Sequence, residues 1–159
     1  MKVPGPLFFD DFSEGQVYET DTHTLDEQEI IDFGRQYAPL PYHVDPKEAK
    51  QSSFGMLIAP GYQTAAITFG LFAKSGALTK SGMGSPGVDS LRWKRPVFAG
   101  DTLKVFAHIV ECSPSFKKGG RDAVRIRYDT LNQNREVVMT LTSLHFVRRH
   151  KKKNTTEEI

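Results

Sequence analysis

Apolar positions along the chain follow two different periods. Between residues 24 and 74 they recur at helical spacing, and from Gly84 onward they alternate with polar residues as in strands. The first helical stretch carries an apolar stripe of Ile30, Ile31 and Phe33. Thr24-Leu25-Asp26-Glu27 reads as its capping box, and Pro39 ends it near Tyr37 because the residue before a proline disfavours helical geometry. A loop rich in proline follows, carrying Pro41-Tyr42-His43-Val44-Asp45-Pro46. Asp45 then serves as N-cap of a short second helix, with Pro46 in its first position. Pro60-Gly61 opens a third helix, expected to run to about Leu78, with no charge between Gly61 and Ala73. A helix apolar on nearly all sides is expected to be buried on nearly all sides.

Strands are expected over residues 16–23, 88–97, 103–112, 123–131 and 137–147. In the fourth of these, Val124, Ile126, Tyr128 and Thr130 alternate with Arg125, Arg127 and Asp129, which describes a sheet with one dry and one wet face. Short connections, such as Gly100-Asp101 and Asn132-Gln133-Asn134, imply antiparallel pairing. Leu7, Phe8, Phe9 and Phe12 in the entry segment are expected to pack on the domain surface. Helices followed by strands, without alternation, predict an α+β fold: a single domain whose antiparallel sheet curls around the long apolar helix.

Composition narrows the function classes. The 159 residues fit one domain, and a net charge of +2 gives no basis for nucleic acid as a partner. The surplus of positive charge lies in Arg148, Arg149, His150, Lys151, Lys152 and Lys153. We therefore place the domain over residues 1–147 and expect a basic, disordered tail over 148–159. The single cysteine, Cys112, excludes an intramolecular disulfide and a cysteine-based zinc site within one chain. No apolar run has the length of a signal peptide or a membrane span, so a cytoplasmic protein with no membrane partner is the expectation. The other histidines, His23, His108, His145 and His150, lack metal-ligand spacing, and no metal is expected.

The run FGRQYAPLPYHVDPKEAKQSSFGMLIAPGYQTAA resembles the signature region of MaoC-like hydratases and dehydratases, relatives of the (R)-specific enoyl-CoA hydratases. LRWKRPVFAGDTLKV resembles the strand that follows the central helix in that family. The resemblance spans about Phe9 to Val147 and implies a hot-dog fold, a homodimer or larger assembly, and acyl-CoA or other acyl-thioester substrates at a subunit interface. Coenzyme A would then be part of the substrate, with no separate cofactor. The family's hydratase motif is an Asp, four residues, then a His. The His matches His43, whereas the Asp position is Ala38. The glycine whose N–H polarises the thioester carbonyl matches Gly61, and Asp45 matches a common family Asp that its capping role already explains.

Hydration of an enoyl thioester needs a base for the attacking water and a donor for the developing enolate oxygen. A histidine suits the first and a backbone N–H at a helix N-terminus the second. His43 and Gly61 are the expected catalytic pair. In place of the missing acid, Asp32, Tyr37, Tyr42 or a residue of the partner chain could hold the water. Ala38 and Tyr42 are expected beside the substrate. Phe69 is expected in the core, with the acyl pocket as its other setting. Arg92, Lys94 and Arg95 either meet coenzyme A phosphates or are edge charges in water. The expected reaction is water addition or removal at an enoyl-CoA double bond. The alternatives are a hot-dog acyl-CoA thioesterase and a non-catalytic acyl-CoA-binding protein.

Overall fold

A computed structural model describes residues 1–151. After a short 3-10 turn at Phe9–Asp11, nine elements succeed one another: β1 (Val17–Thr24), α1 (Glu27–Tyr37), α2 (Pro41–Val44), α3 (Pro46–Gln51), α4 (Gly61–Lys74), β2 (Gly87–Trp93), β3 (Thr102–Ser113), β4 (Ala123–Leu131) and β5 (Val137–Phe146). The five strands form one antiparallel sheet in the order β1-β3-β4-β5-β2, packed on α4. This is the α+β hot-dog arrangement anticipated from the sequence. β4 keeps the expected alternation: Val124, Ile126, Tyr128 and Thr130 are buried, and Arg125 on the outer face pairs with Glu111 and Asp89. Leu7, Phe9 and Phe12 of the entry segment join the core.

Several boundaries differ, each for a local reason. The N-cap of α1 is Asp26, whose Oδ1 accepts from Glu29 N at 2.8 Å, and not Thr24. Thr24 is still in β1, where its hydroxyl meets that of Thr102 at 2.7 Å, so the helix cannot begin there. α4 stops at Lys74 because Gly76 turns the chain at φ +85°, a C-terminal glycine signal that ends helices. β2 stops at Trp93, since Lys94 N and Arg95 N both donate to Val138 O and break the ladder before Pro96. Arg148, Arg149 and His150, expected in the tail, are tied to the body instead. Arg149 pairs with Asp10 and Asp122, and His150 with Asp11. Residues 152–159 of that tail lie outside the described residues.

α4 corrects the largest expectation. It is not buried all round, and its buried face is its more polar one: Gln63, Thr64, Thr68, Leu71 and Phe72. Small hydroxyl side chains let the sheet come close and satisfy one another there. Thr68 Oγ1 donates to Thr64 O at 2.8 Å and lies 2.6 Å from Thr130 Oγ1 on β4. Gln63 Nε2 donates to Glu29 O and ties α4 to α1. Tyr62 and Phe69 stay exposed on the opposite face. No helix among the described residues is long and apolar enough to cross a membrane.

Beneath Phe69 the core holds a polar group. His145 Nε2 lies 2.9 Å from Tyr128 Oη and 2.8 Å from Ser143 Oγ, all three buried. Burial pushes the Tyr128 hydroxyl up, so it stays protonated, and pushes His145 down from 6.5 to about 4. Between those two values the unfolded chain binds a proton that the folded chain refuses. Stability from this residue is therefore complete above pH 6.5 and is lost as the pH falls toward 4, by roughly 3 kcal/mol across the window. Urea unfolding of the wild type and His145→Gln at pH 7 and pH 5 checks this, the variant being expected to lose less stability on acidification.

Candidate functional site

The local sequence around His43 folds into a one-turn helix, α2, rather than the loop expected. Pro41 occupies its first position, and Asp45 closes it by donating N–H to Pro41 O at 2.9 Å. The same Asp45 caps α3, its Oδ1 accepting from Lys47 N at 2.8 Å, which leaves its side chain a structural role. α2 packs tightly on α1 at Gly34, where a Cβ would lie 2.9 Å from His43 O and 3.2 Å from His43 Cβ.

Residues 57–60 run extended between α3 and α4 and bring the site together. Ile58 N donates to Tyr42 O, and Ala59 N donates to Val97 O beyond β2. The His43 ring, only 7% exposed, has Nδ1 2.7 Å from Ile58 O. A carbonyl can only accept, so Nδ1 carries the proton, and in the neutral ring Nε2 keeps its lone pair. Nε2 makes no hydrogen bond among the described residues. The Tyr42 ring meets the imidazole edge-on, with centroids 4.6 Å apart.

His43 and Gly61 line one cavity of about 480 Å³. Gly61 is the first residue of α4, Pro60 before it offers no side-chain cap, and the Gly61 N–H donates to no group among the described residues. It is a pre-oriented donor at the positive end of a helix dipole. Ala38, Tyr42 and Lys94 line the same cavity, as does Arg95, which reaches Glu136 at 3.6 Å. None of the lining residues is Asp or Glu.

The other expected residues lie elsewhere. Arg92 does not line this cavity; it is exposed, with Nη1 donating to Leu91 O, because strand alternation turns it to the face opposite Leu91 and Trp93. Phe69 is not in the core. It is 44% exposed, stacks on His145 with centroids 5.8 Å apart, and lines a separate cavity of about 430 Å³. Asp32 lies in a third cavity, between α1 and α4, and accepts from Gln28 Nε2. Tyr37 is exposed against Phe33. Of the candidate substitutes for the missing acid within this chain, only Tyr42 shares the cavity with His43.

Among the lining residues that escaped the sequence reading, two bear on the chemistry. Thr64, one helical turn past Gly61, is buried, and its hydroxyl makes no hydrogen bond among the described residues. Trp93, 48% exposed, lies against Gly61 and donates Nε1–H to Gly61 O at 2.8 Å. The alternation of Leu91 and Trp93 in β2 was the available signal for the second.

Fold and site together define a hot-dog protein with a buried histidine and a free helix-terminal amide on one cavity. The chain belongs to the MaoC-like dehydratase family: the family's MaoC like domain matches residues 11–129. A solved MaoC-like dehydratase from Rhodospirillum rubrum is 35% identical, with a TM-score of 0.84, over 91% of this chain and 99% of that one. The uncharacterized protein YdeM of Bacillus subtilis is 27% identical over 78% of this chain and 86% of its own length. The R-hydratase PhaJ1 of Pseudomonas aeruginosa shares the fold at 23% identity, with a TM-score of 0.74 over 91% of this chain and 87% of that one.

A Cβ at Gly61 would lie 2.4 Å from Trp93 Cε2, so Gly61→Ala must displace the indole. Helix propensity favours alanine by about 1 kcal/mol, while overpacking costs about 1–3. The expected result is a net loss of about 1 kcal/mol in urea unfolding, with a red-shifted emission from Trp93, the single tryptophan. Unchanged emission and raised stability would contradict the contact.

Proposed function

We propose that this protein adds water to, or removes it from, the double bond of an enoyl thioester such as an enoyl-CoA. The observation that carries the reading is the pairing, on one cavity, of a histidine held through Nδ1 and an amide N–H at a helix start. In hydration, His43 Nε2 takes a proton from water as the oxygen attacks the β-carbon. The electron pair of the double bond moves through the α-carbon onto the thioester oxygen. Gly61 N–H and the α4 dipole stabilise that enolate until the His43 imidazolium returns the proton to the α-carbon, which completes the addition of one water and leaves the imidazole neutral again. Dehydration is the reverse. Coenzyme A would enter as part of the substrate, and Lys94 and Arg95, which line the cavity, would be the residues to meet its phosphates.

The absence of a carboxylate from the cavity favours a second reading, in which the protein binds acyl-CoA without turning it over. Losing one member of a cooperating acid–base pair costs a factor of roughly 10² to 10⁴. The two readings therefore predict different rates at the same affinity.

We also propose a homodimer. β2 pairs with β5 on one side only, and its residues are exposed on both faces. Tyr62 on α4 packs edge-on against Trp93 at the end of β2 and is exposed, as is Phe69 further along the helix. A second copy laid along this edge would remove the unpaired backbone and cover those side chains.

Purified protein is assayed with short and medium trans-2-enoyl-CoA esters. Hydration that falls by roughly 10²-fold or more in His43→Ala supports the first reading, and equal rates sink it. Ala38→Asp is expected to raise hydration by roughly 10²-fold. Binding of the esters with no turnover by the wild type would select the second reading, and thiol release a thioesterase. In light scattering, the expected mass is twice the 17.9 kDa of the chain; a monomer at micromolar concentration contradicts the dimer.

A further inference from the structure

Helices with a free N-terminus are usually fixed by a capping side chain, which uses up one of the first N–H groups. α4 has no such cap, because Pro60 stands in the N-cap position and makes no side-chain bond. That leaves the Gly61 amide unbonded, but it also leaves the turn without its usual side-chain restraint. Gly61, having no Cβ, is the residue least able to restrain itself.

Trp93 supplies the restraint from the other side. Its Nε1–H donates to the carbonyl of Gly61 at 2.8 Å. Its ring lies so close to the glycine that a Cβ would come within 2.6 Å of Nε1 and 2.8 Å of Cζ2. Tyr62 backs the indole edge-on, with centroids 5.4 Å apart. The hydrogen bond engages the peptide after Gly61, and the ring contact blocks rotation about the glycine. The amide before it stays unbonded and lines the cavity with His43.

We propose that Trp93 is a positioning residue for the Gly61 amide. It clamps the glycine through its carbonyl and face, fixing the helix start as an N-cap would, without occupying the N–H that meets the ligand. Polarisation of a bound acyl carbonyl therefore depends on an indole N–H that never touches the substrate oxygen. This rests on the reading of Gly61 as the donor to a thioester carbonyl.

The test uses butyryl-CoA labelled with carbon-13 at the thioester carbonyl, which binds without a double bond to hydrate. Infrared difference spectra give its carbonyl stretch when bound. Trp93 is the single tryptophan, so growth on benzothienylalanine replaces it alone with a ring of the same shape that lacks the N–H. Trp93→Phe is the genetic counterpart. The wild type is expected to move the band to lower frequency. The benzothienyl protein and Trp93→Phe are expected to lose half or more of that shift while still binding the ester. A shift as large in the benzothienyl protein as in the wild type overturns the clamp and leaves the thioester site standing. Failure of the wild type to bind the ester overturns the thioester reading and the clamp together. A purely packing role for Trp93 predicts no change in the benzothienyl protein, whose ring fills the same space.

Discussion

Everything at the site hangs on the backbone of residues 57–60. Ile58 gives its N–H to Tyr42 and its carbonyl to the His43 ring, while Ala59 gives its N–H to Val97. Two segments far apart in sequence, α2 and the stretch at Val97, are thereby fixed to one extended stretch, which runs directly into the first turn of α4. One carbonyl also decides the chemistry of the histidine. By accepting a hydrogen bond from Nδ1–H it keeps the proton on that nitrogen and leaves the lone pair on Nε2, and it holds the ring in a nearly sealed place. A carboxylate in that role would add charge; a peptide carbonyl orients without doing so.

The second constraint is the close approach of α4 to the sheet. It is made possible by small threonines, of which Thr68 and Thr130 satisfy each other's hydroxyls across the line of contact. The consequence is an inverted helix. Its small polar residues face the sheet, and Tyr62 and Phe69 face outward beside an unpaired edge strand. Aromatic surface and open backbone edge coincide, which gives both the same physical reason to be covered.

Family and reaction stand on different residues. The MaoC-like match covers most of the chain, and the hot-dog architecture, the histidine turn and the glycine helix start agree with it. The acid position of the hydratase motif holds Ala38, which does line the cavity, and no lining residue supplies a carboxylate in its place. The cavity thus holds a histidine with an unbonded Nε2 and an unbonded helix-start amide, with no carboxylate among its lining residues.

The sequence by itself determined the elements and the architecture. Period-two alternation, proline and glycine punctuation and the Asp45 cap are local effects, and they place β4, α3 and the start of α4 correctly. His43, Gly61 and the departure at Ala38 were legible through the motif. Which face of α4 is buried was not, because apolar residues stand all around the helix and only the approach of the sheet selects a side. The same holds for Phe69, which hydropathy alone sends to the core. Arg92 and Trp93 are neighbours with opposite directions, and local sequence does not say which one meets a helix start 32 residues away. Tertiary structure decided that a carbonyl holds His43, that an indole holds Gly61 and that both line one cavity, since each is a contact between segments whose spacing along the chain carries no record of it.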